Sequence, residues 1–313
     1  MQKKTWFERA IFLSWYCAKA DCKFCYMSTM QNLDPKKARR TKESILAEAL
    51  LCKYLGWKIE FLSGGYESYT KEELFFLIKE IHKICGEKLW LNMGVLNEKA
   101  LELFKPHLKG VTGAVECINP KLHDFLCPSK PLSEITDMFK TCDKLNLKKS
   151  MTLIIGLGES LDDFNSLKKF IKEYRIDRIT FYALNPHEGT LFIKGPKSEY
   201  YSEWIRQTRK EFPKLEIVAG SWVNRLNEIS LLLKSGADAI TKFPAIKLFA
   251  TKYAKQIERQ VKLAGREFTG TLTKLPAINW NKKVDKLDLD KNLKEKIKIK
   301  LNIYLNQMKK NIN

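Results

Sequence analysis

Residues 10–26, which read Ala-Ile-Phe-Leu-Ser-Trp-Tyr-Cys-Ala-Lys-Ala-Asp-Cys-Lys-Phe-Cys-Tyr, join an apolar strand-like run to three closely spaced cysteines. Cys17, Cys22 and Cys25 form a C-x4-C-x2-C triplet. A 4Fe-4S cluster takes four ligands, so three thiolates would leave one iron with an open coordination position for a small molecule. The stretch therefore predicts a strand that is followed by a cluster-binding loop.

Two other interpretations of the triplet are a zinc knuckle and three unrelated buried thiols. A zinc knuckle needs a further Cys or His to close a tetrahedral site. No C-x2-C or H-x3-H pair lies downstream, and histidines stand only at positions 82, 107, 123 and 187. The pattern therefore favours the iron–sulfur cluster.

The composition is typical of a cytoplasmic α/β protein. The chain has 313 residues, of which 44% are hydrophobic, and this suits a single α/β barrel with additions. Its eight cysteines are scattered, and the first residues contain no signal-peptide pattern, so neither a disulfide framework nor secretion is predicted. No apolar stretch approaches the roughly eighteen residues of a membrane span.

The formal net charge of +20 predicts a positive surface field that would attract nucleic acid, an acidic protein or an anionic small molecule. The lysines are spread along the helical segments instead of forming one stripe. This spacing favours a solvated charged surface for most of them.

Short aliphatic runs alternate with amphipathic segments along the chain, which is the pattern of repeated β/α units on a parallel sheet. Strands are predicted at 10–15, 58–62, 89–95, 110–116, 150–155, 178–183, 216–219 and 237–242. Helices are predicted at 42–55, 71–84, 97–105, 133–145, 161–174, 200–212 and 225–234. The pattern predicts an α/β fold, a (β/α)8 TIM-type barrel, whose active site lies at the carboxyl ends of the strands.

The C-terminal segment differs in amino-acid composition from the rest of the chain. Residues 281–313 are rich in Lys, Asn, Ile and Leu, with apolar residues at helical intervals. We expect a barrel core over 1–250 and a helical extension over 251–313 packed on it. A basic arm that contacts RNA is the alternative, but the segment has few aromatic residues and neither glycine nor arginine.

Two further motifs follow predicted strands. Ser63, Gly64 and Gly65 follow the second predicted strand, and one inserted residue, Tyr66, separates the two glycines from Glu67. Two glycines let the backbone approach a ligand closely. The fifth strand and its exit read Met-Thr-Leu-Ile-Ile-Gly-Leu-Gly-Glu-Ser over 151–160.

Together with the cysteine triplet, these motifs resemble the radical S-adenosylmethionine (SAM) superfamily, whose usual loop is C-x3-C-x2-C with an aromatic residue where Phe24 stands. In that family a Gly-Gly-Glu element holds the amino group of SAM, and a G-x-I-x-G-x-x-E strand packs the adenine. Residues 185–190, Asn-Pro-His-Glu-Gly-Thr, look like a segment of the biotin synthase branch. The resemblance implies SAM contacts from Ser63, Gly64, Gly65, Glu67, Ile154, Gly156, Glu159 and Asn185.

The sequence departs from biotin synthase at the second cluster of that enzyme. The cysteines that hold it would fall near Asn92 and Ser150, which are not thiolate ligands, so biotin synthase activity itself is not expected. Cys127, which is predicted to lie in an exposed loop, and His187 are the candidate catalytic residues. Four further polar residues could point into the barrel, but the alternation of side chains along a strand does not settle their direction: Arg178, Tyr182, Lys242 and Lys247.

The resemblance implies an enzyme with a 4Fe-4S cluster that cleaves SAM reductively and abstracts hydrogen from an unactivated C–H bond through a 5′-deoxyadenosyl radical. It also implies an electron donor such as ferredoxin or flavodoxin. Sulfur insertion, as in a two-protein lipoyl synthase, would add an acidic carrier protein and a second radical SAM subunit as partners. The alternatives are a methylase, mutase or cofactor maturase of the biotin synthase type, or an RNA-binding or RNA-modifying protein with a structural cluster.

Overall fold

Eight parallel strands close into a barrel in a computed structural model that describes residues 3–30 and 33–312. Neighbours along the chain are neighbours in the sheet, and β1 pairs with both β2 and β8. The strands are β1 (Lys4–Ser14), β2 (Lys58–Gly64), β3 (Leu89–Asn92), β4 (Leu108–Glu116), β5 (Lys148–Ile155), β6 (Arg178–Ala183), β7 (Glu216–Gly220) and β8 (Ala239–Thr241). The predicted (β/α)8 TIM-type fold is confirmed.

Helices on the outside of the barrel connect successive strands. They are α1 (Lys42–Leu55), α2 (Lys71–Cys85), α3 (Glu98–Phe104), α4 (Pro120–Leu126), α5 (Leu132–Lys144), α6 (Phe164–Glu173), α7 (Ser198–Glu211) and α8 (Ile229–Lys234). Good N-caps start several of them, and the side chain of Thr70 accepts a hydrogen bond from the backbone N–H of Glu73 in a full capping box. The short helix α4 was not predicted from the sequence.

The first strand begins six residues earlier than the predicted 10–15, and the reason is a set of buried ion pairs. Glu8 lies inside the barrel and pairs with Arg178 of β6, while Arg9 binds the buried Glu48 of α1 at 2.5 Å. The charged residues Glu8 and Arg9 interrupt the apolar pattern from which the strand at 10–15 was predicted. Their partners are distant in sequence and supply the compensation that a buried charge needs.

The chain beyond the barrel packs against its first strand and first helix. It contains α9 (Lys252–Leu263), β9 (Glu267–Thr269), α10 (Trp280–Asp285) and α11 (Lys291–Lys309). Strand β9 pairs in parallel with the start of β1, and the hydroxyl of Tyr304 on α11 lies 2.8 Å from that of Ser44 on α1. The predicted helical C-terminal region is present, and the structure adds a ninth strand to it.

Of the helices within the described ranges, none combines the length and the apolar character that crossing a membrane requires. Because the eight strands are parallel, their carboxyl ends all lie at one rim of the barrel. The loop after β1, which holds the cysteine triplet, lies at this rim.

Candidate functional site

A cavity of about 250 Å³ opens at the carboxyl ends of the strands. Nine of the predicted cluster ligands, SAM contacts and catalytic candidates line it: Cys17, Cys22, Cys25, Ser63, Gly64, Gly65, Ile154, Asn185 and His187. They come from the loop after β1 and from the ends of β2, β5 and β6. Residues that are far apart in the chain therefore share one concave surface, which is where barrel enzymes carry out their chemistry.

The cysteine loop is held from three sides by backbone hydrogen bonds. The N–H of Ala18 donates to the carbonyl of Tyr66 at 3.1 Å, after β2. The N–H of Lys23 donates to the carbonyl of Leu126 at 2.9 Å, and its own carbonyl accepts from Leu191 at 3.0 Å. The loop has no regular secondary structure of its own between the strand and Tyr26, so these contacts determine where the thiols lie.

Gly65 brings the end of β2 into direct contact with this loop. A Cβ atom at Gly65 would lie 2.2 Å from the carbonyl oxygen of Tyr16 and 2.4 Å from the Cβ of Cys17. Only glycine fits such a close approach of two backbones. Gly65 is thus required for the position of the first cysteine.

The surroundings of Cys22 favour its thiolate form. Its pKa is lowered because the thiol of Cys127 donates a hydrogen bond to it, and the ammonium of Lys130 adds to the effect. In contrast, burial raises the pKa of Cys25 to about 11. Metal ligation requires thiolates, so binding of a cluster would displace protons from this site.

The side chain of Lys130 is buried at 5% exposure behind the cysteine loop. Its Nζ lies 3.7 Å from a carboxylate oxygen of Glu116, the last residue of β4, which has a left-handed φ of 61°. Although burial opposes the charged form, the pKa of Lys130 is raised, because Glu116 and the sulfur of Cys22 favour the ammonium. Neither residue was singled out from the sequence, although Glu116 ends a predicted strand at the active rim.

A cubane cluster fits the donors that line this cavity. The three thiols are partly accessible, whereas Cys52 and Cys142 are buried in the core. Across residues 3–30 and 33–312, no three His, Cys, Asp or Glu side chains converge on a point that could hold a single metal ion. A cubane has its irons at separate corners, so its thiolate ligands need not converge in that way.

The exit of β5 is held in shape by Glu159. One carboxylate oxygen accepts from the N–H of Gly156 at 2.7 Å and the other from Leu157 at 2.8 Å. Burial raises the pKa of Glu159, although these hydrogen bonds oppose the shift. Neither Gly156 nor Glu159 lines the cavity, so their contribution is the curvature of the strand end that carries Ile154.

The residue inserted after the two glycines changes which side chain faces the cavity. Tyr66 lines it, whereas Glu67 is exposed to solvent with a left-handed φ of 57° and lies outside the lining. Glu67 therefore does not share this cavity with Gly64 and Gly65. One extra residue has rotated the position of the expected carboxylate away from the site.

The prediction that Cys127 is exposed is wrong. Only 1% of its surface is accessible, because the loop after α4 folds back over the cysteine loop and packs Cys127 against Phe24 and Leu126. It contacts the site through the sulfur of Cys22 and does not line the cavity.

His187 does line the cavity, near the rings of Tyr26 and Trp222. Its pKa is lowered by burial and by the charge of Lys242, which favours the neutral imidazole. Of the further polar residues, Tyr182 and Lys242 face the cavity, Arg178 pairs with Glu8 inside the barrel, and Lys247 is exposed. The indole of Trp222, which the sequence did not single out, completes this wall of the cavity.

Comparison with known proteins adds the family. A sequence model of the radical SAM superfamily matches residues 16–171. An uncharacterized protein of Methanocaldococcus jannaschii is 43% identical over 285 residues, which are 90% of this chain and 79% of that protein. Biotin synthase of Methanococcus vannielii is 28% identical over 181 residues, or 56% of this chain and 54% of that enzyme.

Among solved structures, that of methylornithine synthase superimposes with a TM-score of 0.66 at 17% identity. The superposition covers 77% of this chain and 71% of that one. At this identity the likeness shows the fold alone.

Proposed function

Because this chain belongs to the radical SAM superfamily, we propose that it is an enzyme that binds a 4Fe-4S cluster through Cys17, Cys22 and Cys25 and uses it to cleave SAM. The family implies both the cluster and SAM. One observation supports the assignment of these residues: the three thiols line one cavity at the carboxyl ends of the strands. Gly65 packs closely against the first of them, Cys17. A cluster held by Cys17, Cys22 and Cys25 would supply the electron that reductive cleavage of SAM requires, and in this proposal that cleavage would serve abstraction of hydrogen from a C–H bond of the substrate.

The residues of the chain orient SAM and exclude water. Gly64 and Gly65 expose backbone groups beside the cysteine loop, which suits recognition of the amino and carboxylate groups of SAM. Ile154 offers an apolar contact for the adenine, and the side chain of Asn185 offers donors and acceptors from the wall after β6. The aromatic side chains that line the cavity reduce the access of water to a reactive radical.

The finer assignment that we propose is insertion of sulfur at an unactivated carbon, as in lipoyl synthase. The similarity to biotin synthase supports this class of reaction. The net charge of +20 suits an acidic carrier protein that presents the substrate. By the resemblance to biotin synthase, the cysteines of the second cluster would fall near Asn92 and Ser150, which are not thiolate ligands. In this proposal the sulfur therefore comes from a partner, such as a second radical SAM subunit.

The test begins with anaerobic reconstitution of the full chain with iron and sulfide, followed by reduction with dithionite in the presence of SAM. We expect one cubane per chain and release of methionine and 5′-deoxyadenosine. Ferredoxin or flavodoxin should replace dithionite as the electron donor. A fully reconstituted cluster that never yields 5′-deoxyadenosine, with or without an octanoylated carrier protein, would refute the catalytic assignment.

Single Cys→Ala variants test the ligands. Replacement of Cys17, Cys22 or Cys25 should remove most of the iron, whereas the matched control Cys85→Ala, which alters a partly buried cysteine of α2, should retain it. Retention of the cubane in all three ligand variants would refute the residue assignment. A salt-sensitive RNA complex that forms equally well without iron would instead support the RNA-binding alternative.

A further inference from the structure

The cavity carries more positive than negative charge. Among residues 3–30 and 33–312, its lining includes three lysines, Lys19, Lys130 and Lys242, but only one carboxylate, that of Glu116. Two of the lysines have partners, because Lys19 binds Glu134 at 3.0 Å and Lys130 faces Glu116. Lys242 has no carboxylate within 4.0 Å among residues 3–30 and 33–312.

Lys242 is held in place by its surroundings. It directly follows β8 with a left-handed φ of 73°, a strained conformation that is concentrated at functional sites. Its Nζ lies 4.5 Å from the ring centroid of Tyr182 and 5.6 Å from that of Trp222. A Cβ at Gly220 would come within 3.0 Å of its Cγ, so this glycine leaves the space that the lysine stem occupies.

The two aromatic rings beside the ammonium are themselves fixed by hydrogen bonds. The hydroxyl of Tyr182 donates to the buried carboxylate of Glu60, which also accepts from Thr241. The indole N–H of Trp222 donates to the carbonyl of Ala183 at 2.9 Å. Such preorganisation reduces the entropy that ligand binding must overcome.

Lys242 also stands apart from the cation beside the cysteines. In the ring of eight strands, β8 and β4 are four positions apart and therefore face each other across the barrel. Lys130 follows β4 and interacts with Cys22, whereas Lys242 follows β8 and interacts with His187. The wall that carries Lys242 is thus opposite the buried cation beside Cys22, and β1 separates it from the glycines at the end of β2.

We infer that Lys242 binds the carboxylate of the substrate, and that the substrate is a small organic acid whose apolar body lies along Phe61, Ile154 and Trp222. This inference rests on the first part of the proposed function, SAM cleavage in this cavity. It replaces the carrier-bound acyl chain by a free acid, because an acyl chain attached to a carrier has no free carboxylate. The ammonium supplies the charge that a carboxylate requires. The aromatic walls lower the local dielectric, which strengthens that attraction.

The test uses the reconstituted holoenzyme with SAM and hexanoate as the probe, and the dissociation constant is measured by calorimetry. We expect wild type to bind hexanoate and Lys242→Met to bind it at least about tenfold more weakly, because a hydrogen-bonded charge pair is lost. Lys242→Arg keeps the charge and should restore most of the affinity. The matched control, Lys247→Met, changes an exposed lysine five residues further on and should bind like wild type.

Three results would overturn the inference. These are equal hexanoate binding by wild type and Lys242→Met, no preference for hexanoate over hexan-1-ol, and tighter binding of hexyl phosphate than of hexanoate. A loss of SAM affinity in Lys242→Met as large as the loss of hexanoate affinity would also overturn it, since Lys242 would then hold SAM. SAM cleavage is measured on the same preparations, so failure of the proposed function is recorded separately from failure of hexanoate binding.

Discussion

Replacement of Gly65 by alanine should leave the protein folded but impair binding of its cluster. The added Cβ would lie 2.2 Å from the carbonyl oxygen of Tyr16, and ordinary van der Waals contact begins at 3.4 Å. The cysteine loop must therefore retreat by roughly 1 Å, because the atoms in the way belong to the backbone and cannot turn aside. Overpacking of this kind costs about 1–3 kcal/mol.

The retreat would move Cys17 relative to the other two thiols. The loop around Cys22 and Cys25 is tied to Leu126 and Leu191 and cannot follow freely. A misplacement of about 1 Å at a reacting centre can cost about 100-fold in rate. We therefore expect Gly65→Ala to fold, to melt a few degrees lower, and to lose most of its iron and SAM cleavage.

The assay compares iron and sulfide per chain after anaerobic reconstitution, thermal unfolding by circular dichroism, and the rate of 5′-deoxyadenosine release. Gly64→Ala is the matched control, since the nearest atoms to a Cβ there belong to side chains and not to the backbone: Met93 Cε lies at 2.9 Å and Ser68 Oγ at 3.3 Å. The side chain of Met93 can turn away, so the control should assemble its cluster. If Gly65→Ala retained as much iron as Gly64→Ala did, the close approach would not position the first ligand.

Three further predictions concern single side chains near the cavity. Cys127→Ala should leave iron per chain unchanged but lower the midpoint potential of the cluster, because the variant loses the thiol that donates to Cys22; a loss of iron would instead make Cys127 a ligand. Burial raises the pKa of Glu159, so its contribution to stability is present below the usual carboxyl pKa and is lost as the pH rises through the raised value. Urea unfolding should therefore show the stability of wild type relative to Glu159→Gln declining over that interval, and a difference independent of pH would contradict the assignment. Lys242→Met should raise the pKa of His187 in an NMR titration, since one of the two causes that lower it is removed, and an unchanged value would place the ammonium too far away.

Local pattern was enough for the architecture. Strand and helix periods depend on residues close in the chain, so the alternation of aliphatic runs and amphipathic segments predicted the barrel and most of its elements. The chain order of the cysteine triplet, the paired glycines and the fifth strand indicated the family, which the match over residues 16–171 supports. Because parallel strands direct their carboxyl ends to the same rim, the sequence also predicted that these segments meet.

Tertiary contacts decided which side chains face the cavity. One inserted residue turned Glu67 to solvent and Tyr66 inward, and the fold of the loop after α4 buried Cys127 behind Cys22. The early start of β1 depended on ion pairs with Arg178 and Glu48, which lie far along the chain. The sequence by itself determined the order of strands, helices and motifs, whereas the direction of each side chain at a strand end was set by packing between distant segments, which no local period records.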